Sequence, residues 1–290
     1  MIYIKDCPVC ESGNIMKIKE TEYHYPEKIE DYYRDKRLRI AFDKVAKCDR
    51  NGTLKFKMYR CNDCYFIFQN PRFTDEEVLV KYHWIAEGMG IEKPNINKMN
   101  AIDRDREEKI RARFAWIDAI KEKRIRGYVE KYANAEAKTL LDFGGSHGQM
   151  CINLRNKYDC EVIELSKYPM HEKIKYIGEN LECCKDREYD IILVIHVLEH
   201  VNKSLEYLLA LKKHLKKENG IILIAVPIGY IDEWKHLKEP LTHCNFFCQN
   251  SLKRLLDIAE FECLNIEEYP ISKITEPQEF GEIYYIGKKL

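Results

Sequence analysis

The sequence has no surplus of charge of either sign: Lys+Arg and Asp+Glu each number 48 in 290 residues, so the formal net charge is zero. A protein whose main partner is bulk nucleic acid or an anionic membrane ordinarily carries a basic excess, and this balance argues against that class. Long apolar runs are also missing. The longest, Ile191 to Ile195 and Ile221 to Pro227, are strand-sized and far below the ~18 residues that a membrane span requires. The opening Met1-Ile-Tyr-Ile-Lys-Asp-Cys7 has no basic region followed by an apolar stretch, so a secretory signal is not expected and a cytoplasmic location is. There is no internal repeat and no low-complexity tract. Hydrophobic residues still make up 45% of the chain, enough for a core and too many for disorder.

Cysteine, by contrast, is abundant. Four of the twelve fall into two pairs, Cys7-Pro-Val-Cys10 and Cys61-Asn-Asp-Cys64. A disulfide framework is not expected in a chain of this length without an export signal, and the other eight read as reduced structural residues. Two residues between thiolates let one tight turn present both sulfurs to an ion, and two such turns complete a tetrahedral site of four thiolates. The expectation is structural Zn2+. An iron–sulfur cluster is an alternative, and a redox pair would need a βαβ setting that is absent. The long spacing places an insertion at about residues 20–58, read as an extended hairpin. It carries His24 and Cys48, which are less favoured substitute ligands. A site closed by four thiolates has no position for water, so the metal is expected to fold the module rather than do chemistry.

Three segments are legible: a zinc-binding module (1–73), a helical connector or cap (74–135) and a catalytic domain (136–290). Thr74-Asp-Glu-Glu77 resembles a capping box, with Thr74 as N-cap. Asp103 to Lys131 is charged and helical, with Ile110, Phe114, Ile117 and Ile120 or Lys121 at helical spacing; it reads as a solvated helix face rather than a nucleic-acid stripe. From Lys138 strands and helices alternate. Strands are predicted at 139–143, 161–165, 174–177, 191–195 and 221–226, with helices at 149–157 and 204–217. A helix from about Ser251 to Glu260 and a final antiparallel pair at 262–269 and 282–288 follow. The fold class is therefore α/β, a Rossmann-like doubly wound sheet with an antiparallel C-terminal edge hairpin.

The most informative string is Thr139-Leu-Leu-Asp142-Phe-Gly144-Gly145-Ser146-His147-Gly148. An apolar strand runs into a turn of small residues, where backbone can approach a ligand closely. Glu164 closes the next strand, where a carboxylate suits the two hydroxyls of a ribose. By itself the spacing indicates a parallel sheet with a nucleotide-like ligand. The string also resembles the first motif of class I S-adenosylmethionine-dependent methyltransferases, apolar-apolar-Asp-x-Gly-x-Gly-x-Gly, with Ser146 in place of the middle glycine. A serine there is strained if its φ must be positive. The segments Tyr189-Asp190 to Leu198-Glu199-His200 and Asn219-Gly220 to Pro227 are similar to the fourth and fifth strands of that superfamily. The resemblance implies S-adenosyl-L-methionine as cofactor, bound by Asp142, Gly144, Gly145, Ser146, Gly148, Glu164 and His196.

Cys61-x-x-Cys64, Asn70-Pro71, Tyr82, the His243-Cys-Asn245-Phe246-Phe247 run and Ser251-Leu252 further resemble bacterial methyltransferases that modify sugars and polysaccharides. That likeness implies a small-molecule acceptor such as a nucleotide sugar, with a homodimer as one assembly. Relatives that methylate a sugar carbon carry an additional C-terminal domain, so a chain ending at the sheet is expected not to. A hydroxyl acceptor needs a base, for which histidine is suited. His243 is the first choice, after the fifth strand, and His200 and His196 the others. His147 either approaches the methionine carboxylate or begins the helix. Two further readings stay open: an RNA base methyltransferase gripping RNA with the zinc module, and a non-catalytic protein retaining the pocket.

Overall fold

The computed structural model describes residues 1–24, 53–80, 101–165, 169–229, 243–269 and 281–290. β1 (Ile15–His24) and β2 (Thr53–Cys61) form an antiparallel pair, the two visible arms of the predicted hairpin. Ile15 stands opposite Cys61 and His24 opposite Thr53, which puts His24 about 30 Å along the strand from the cysteine end. Cys48 lies outside the described residues. β3 (Ile67–Asn70) continues this sheet. The capping box at Thr74 is present: its amide donates to Glu77 Oε2 (2.7 Å) and the Glu77 amide donates to Thr74 Oγ1 (3.1 Å).

α1 (Ala101–Tyr132) leads into the second sheet. That sheet comprises β4 (Thr139–Phe143), β5 (Asp159–Ile163), β6 (Ile174–Gly178), β7 (Ile191–Ile195), β8 (Ile221–Pro227), and, after the two-residue β9 (Asn245–Phe246), β10 (Phe261–Tyr269) and β11 (Glu282–Lys289). Its strand order is β10-β11-β8-β7-β4-β5-β6. β4 to β8 are parallel, and β11 runs antiparallel between β8 and β10, the expected edge hairpin.

Alternation across this sheet builds two cores, because successive side chains of a strand point to opposite faces. Ile191, Leu193, Ile195, Leu223, Ala225, Tyr284 and Ile286 face α1, where they meet Ile125, Tyr128 and Val129. Ile192, Val194, Ile222, Ile224, Val226, Ile283 and Tyr285 face the other side, against α2 (Ser204–Lys213) and α3 (Gln249–Ile258). Burial on both faces is why these strands read as unbroken apolar runs. In α1 the side chains that enter the core are Ile125, Tyr128 and Val129; those of Ile110, Phe114 and Ile117 lie outside the description. None of the described helices is long and apolar enough to cross a membrane.

Three elements depart from expectation. The predicted helix at 149–157 is a 3-10 turn, Gln149–Cys151, followed by further turns. Its amides mostly reach back three residues (Cys151 to Gly148, Ile152 to Gln149, Lys157 to Leu154), which winds the backbone more tightly than an α-helix. α2 stops at Lys213 rather than 217 because the following backbone pairs with the start of β7: Tyr189 N–H donates to the His214 carbonyl and Lys216 N–H to that of Tyr189. The second parallel strand is Asp159–Ile163, two residues earlier than predicted, so Glu164 lies just beyond its end.

The N-terminal sheet with its paired cysteines and the second sheet share a core. β9 pairs with β3, Ile67 opposite Phe246 and Phe68 opposite Asn245. Phe66 packs on Phe247 with ring centroids 5.0 Å apart. Cys7, Val9, Phe66 and Phe68 belong to the same core cluster as Leu141, Val194 and Ile224. Arg72, fully buried, joins the two parts by donating to the carbonyls of Gln69 (3.2 Å) and Asn202 (3.3 Å).

Candidate active site

The site lies where β4, β5, β7 and β8 end, outside the carboxyl edge of the sheet, the usual ligand position in open α/β folds. After β4 the chain must turn sharply. Gly144 and Gly148 have φ of +76° and +77°, a left-handed conformation that costs a side-chain-bearing residue about 1–2 kcal/mol. Ser146 adopts φ +49°, so the strain anticipated for a serine at this place in the motif is present. Its amide donates to Glu164 Oε2 at 2.9 Å, which ties the turn to the end of β5. A Cβ on Gly144 would meet Val197 at 2.5 Å, so the turn lies directly against the segment after β7.

Asp142 is buried at 1% exposure, and its Oδ1 has no hydrogen-bond partner among the described residues. Burial pushes its carboxyl up to about 7. An orphaned acceptor beneath a glycine turn, with a carboxylate at the neighbouring strand end, fits a nucleoside cofactor with an amine and ribose hydroxyls to donate. His147 does not begin a helix; its Nδ1 stands 3.1 Å from the Pro169 carbonyl.

Beyond β7, His196 takes φ +56° and both ring nitrogens face carboxylates: Nδ1 lies 3.0 Å from Glu199 Oε1, and Nε2 lies 2.7 Å from Glu282 Oε1. Burial and the Lys121 charge push its pKa down, but the hydrogen bonds to Glu199 and Glu282 outweigh them and raise it to about 8. Lys121 of α1 also reaches Glu282 Oε1 (3.0 Å), and Tyr284 donates to Oε2 (2.7 Å). Glu282 is held at about 2: burial pushes it up, and the His196 hydrogen bond, the His196 charge and Lys121 overcome that. The raised pKa favours the imidazolium, while Lys121 Nζ, 3.0 Å from Nε2, acts against it.

Glu199 is the centre of a second group. It is 1% exposed, and Oε2 has no hydrogen-bond partner among the described residues. Burial raises its pKa, but the His200 charge, the His196 hydrogen bond and the His196 and His243 charges bring it to about 2. His200 and His243 stand edge to face with centroids 4.6 Å apart. His243 begins the described run that leads into β9, and this run is fastened on three sides. The amides of Cys244 and Asn245 donate to the Glu199 carbonyl, Gln69 N–H donates to the Cys244 carbonyl, and Asn245 Nδ2 bonds the carbonyls of Leu198 (2.7 Å) and Val201 (2.6 Å).

The structure thus brings His243 and His200 together beside Glu199, and ties His196 to that same carboxylate and to Glu282. Glu199, Glu282, Lys121 and Asn245 are site residues that sequence reasoning did not single out. Glu199 sat in a quoted Leu-Glu-His string, whereas Glu282 and Lys121 carried no local signal. Tyr82 lies outside the described residues.

At the other end of the chain the four paired cysteines converge. Cys7 Sγ and Cys64 Sγ are 3.5 Å apart, Cys10 Sγ and Cys61 Sγ 3.6 Å, and all four sulfurs lie within 4.8 Å of one another. Zn–S bonds of about 2.3 Å in a tetrahedron give sulfur–sulfur edges of about 3.8 Å, so the set has the right size for one zinc ion. Each knuckle is followed by a residue of positive φ, Glu11 (58°) and Tyr65 (62°). The side chain of His24 lies outside the description.

A parallel sheet closed by an antiparallel hairpin, with a strained glycine turn at its central strand and a carboxylate one strand over, defines a class I methyltransferase framework. Residues 115–266, just over half of the chain, match the family described as a methyltransferase domain, and the chain belongs to that family. It is a methyltransferase. Similar solved structures include a 1,6-didemethyltoxoflavin N1-methyltransferase of Burkholderia thailandensis with bound 1,6-didemethyltoxoflavin and S-adenosylhomocysteine (15% identity, 61% of this chain and 82% of that one, TM-score 0.49). An S-adenosylmethionine-dependent methyltransferase of Archaeoglobus fulgidus (16% identity, 59% and 94%, TM-score 0.47) and one of Clostridium acetobutylicum (13% identity, 66% and 99%, TM-score 0.44) are others. No curated protein matches the chain.

Proposed function

We propose that this methyltransferase transfers the methyl group to a hydroxyl of a sugar, nucleotide-linked or part of a surface polysaccharide precursor, in the cytoplasm. The observation that carries the reading is the placement of His243 against His200 over the buried Glu199, in the segments following β7 and β8. A neutral alcohol is a poor nucleophile near pH 7, and an imidazole held by surrounding groups is suited to take its proton. S-adenosylmethionine supplies a methyl group bonded to a positively charged sulfur. The chain's own residues then have three tasks. Asp142, Gly144, Gly145, Ser146, Gly148 and Glu164 hold the nucleoside, with Glu164 on the ribose. His243 receives the acceptor's proton, and His200 orients it. His196, an imidazolium between Glu199 and Glu282, fixes the floor of the pocket and adds positive potential rather than acting as a base.

In this reading Cys7, Cys10, Cys61 and Cys64 hold a structural Zn2+, supported by the spacing of their sulfurs. Residues 1–73, 74–135 and 136–290 are the module, connector and catalytic domain. The shared core and the β3–β9 pairing argue that the module's task is to hold the His243 segment.

The test is incubation of the full chain with S-adenosylmethionine and a panel of nucleotide sugars, followed by mass spectrometry. The expected product is a sugar heavier by one methylene, its methyl carbon on oxygen by NMR. Methylation of nitrogen in an amino sugar, or of RNA with none of the sugars, would overturn the proposal.

A further inference from the structure

Three potential ligand atoms converge at this site without any thiolate. One ligand atom each from Glu199, His200 and His243 lies within 4.8 Å of the others. We propose that these residues form a binding site for a divalent transition-metal cation, distinct from the four-cysteine cluster and open towards the acceptor.

Two imidazoles and one carboxylate are the donor set of three-ligand zinc sites and of facial two-histidine, one-carboxylate sites. In a tetrahedral or facial site, bonds of about 2.0–2.2 Å set ligand atoms about 3.0–3.6 Å apart, so the set must contract by up to about 1–2 Å to close on a cation. The second observation is the state of Glu199. Its carboxylate is 1% exposed, yet Oε2 has no hydrogen-bond partner among the described residues. A buried carboxylate oxygen without a donor is destabilising, and a cation removes that cost. The surroundings are organised as metal sites require, with the ligands themselves held by outer groups. Glu199 Oε1 is fixed by His196 Nδ1 at 3.0 Å. The Glu199 carbonyl accepts the amides of Cys244 and Asn245, which locks the segment carrying His243 onto the one carrying Glu199 and His200.

Three protein ligands leave at least one position open, unlike the closed set of four thiolates. The inference rests on the O-methyl transfer reading for what fills that position: the acceptor's hydroxyl oxygen. A bound cation lowers the pKa of such an oxygen. The O–H bond breaks with its proton passing to solvent water. The O–CH3 bond then forms as the S–CH3 bond breaks, and the electron pair leaves with sulfur. In the loaded protein His243 is a ligand, and proton acceptance by imidazole belongs to the protein without the cation.

The experiment is titration of the full chain, loaded with a single equivalent of zinc for the four thiolates, with Co2+, read by visible absorption and by equilibrium dialysis. The expected result is one further equivalent beyond the cysteine-bound metal, giving weak d–d bands without thiolate charge-transfer intensity. His243→Ala and Glu199→Gln should each weaken that binding at least ~10-fold. His200→Ala serves as a third variant should the buried glutamate's replacement not fold. No further equivalent, or one unaffected by the histidine variants, overturns the proposal and leaves the three groups as an ion-pair cluster. The two readings fail separately. Absence of the second cobalt with intact sugar methylation removes the cation alone, whereas cobalt binding without methylation of any sugar removes the acceptor alone.

Discussion

Raising the pH through the range in which His196 titrates should weaken the fold by about 2 kcal/mol, and the reasoning can be followed proton by proton. An unperturbed histidine titrates at 6.5, and this one is raised to about 8 because its bonds to Glu199 and Glu282 outweigh burial and the Lys121 charge. Below pH 6.5 folded and unfolded chains both carry the proton; between 6.5 and about 8 only the folded chain does; above that neither does. The folded state binds the extra proton, so stability is full below the unfolded value and is lost as pH rises through the folded one. About 1.5 pKa units at ~1.36 kcal/mol each gives the ~2 kcal/mol. The assay is urea unfolding at several values from about pH 6 to 9, alongside NMR of 15N-labelled imidazoles to read the ring directly. Glu282→Gln removes one of the two carboxylates, so the ring pKa should fall and the pH-dependent increment should shrink, whatever the variant's absolute stability. A wild-type ring titrating at or below about 6.5, or a pH dependence identical in the variant, would refute the argument. It would also restore His196 as a base, because a neutral ring has a lone pair.

Three further outcomes are expected. His243→Ala should lower turnover by ~100-fold or more while cofactor affinity measured by calorimetry stays nearly intact; normal turnover would remove the residue from the mechanism. Glu164→Ala takes away charge-assisted hydrogen bonds worth ~1.5–3 kcal/mol, so S-adenosylhomocysteine should bind ~10–100-fold more weakly. The loss should be smaller for an analogue lacking the ribose hydroxyls, and an equal loss would place the effect in the Ser146 bond alone. Removing zinc with a strong chelator, or making Cys61→Ser, should lower the melting temperature and depress turnover more than cofactor affinity. The cysteine cluster supports β3, β3 supports β9, and β9 follows His243; unchanged turnover in metal-free protein would break that chain.

Most of the fold was legible because the sheet is buried on both faces. Residues such as Ile191 to Ile195 and Ile221 to Val226 must be apolar throughout, and unbroken β-branched runs are visible without any structure. The capping box at Thr74 and the paired cysteines were legible for a similar reason, since each is a local geometry demanding particular side chains a few residues apart. The failures were also local. Gln149 to Lys157 has helix-forming residues, but their amides reach back mostly three positions after the left-handed Gly148. Lys216 has no mark that its amide belongs to Tyr189.

The candidate site divides along the same line. The glycine turn, Glu164 and the three histidines could be named from the chain because each sits at the end of a recognisable strand. The ranking that put His243 first rested on position along the chain, whereas the partners that set each ring's protonation are distant in it. Glu282 is 86 residues from His196, and its carboxylate raises the pKa of that ring. Asn245 and β3 anchor His243 through bonds that join the N-terminal module to the loop after β8. The sequence by itself therefore determined the strand order's raw material, the cofactor turn and the thiolate set, all encoded by neighbours along the backbone. Only the tertiary structure decided which histidine has its pKa raised by paired carboxylates, because that shift is set by the charges that folding brings within about 3 Å.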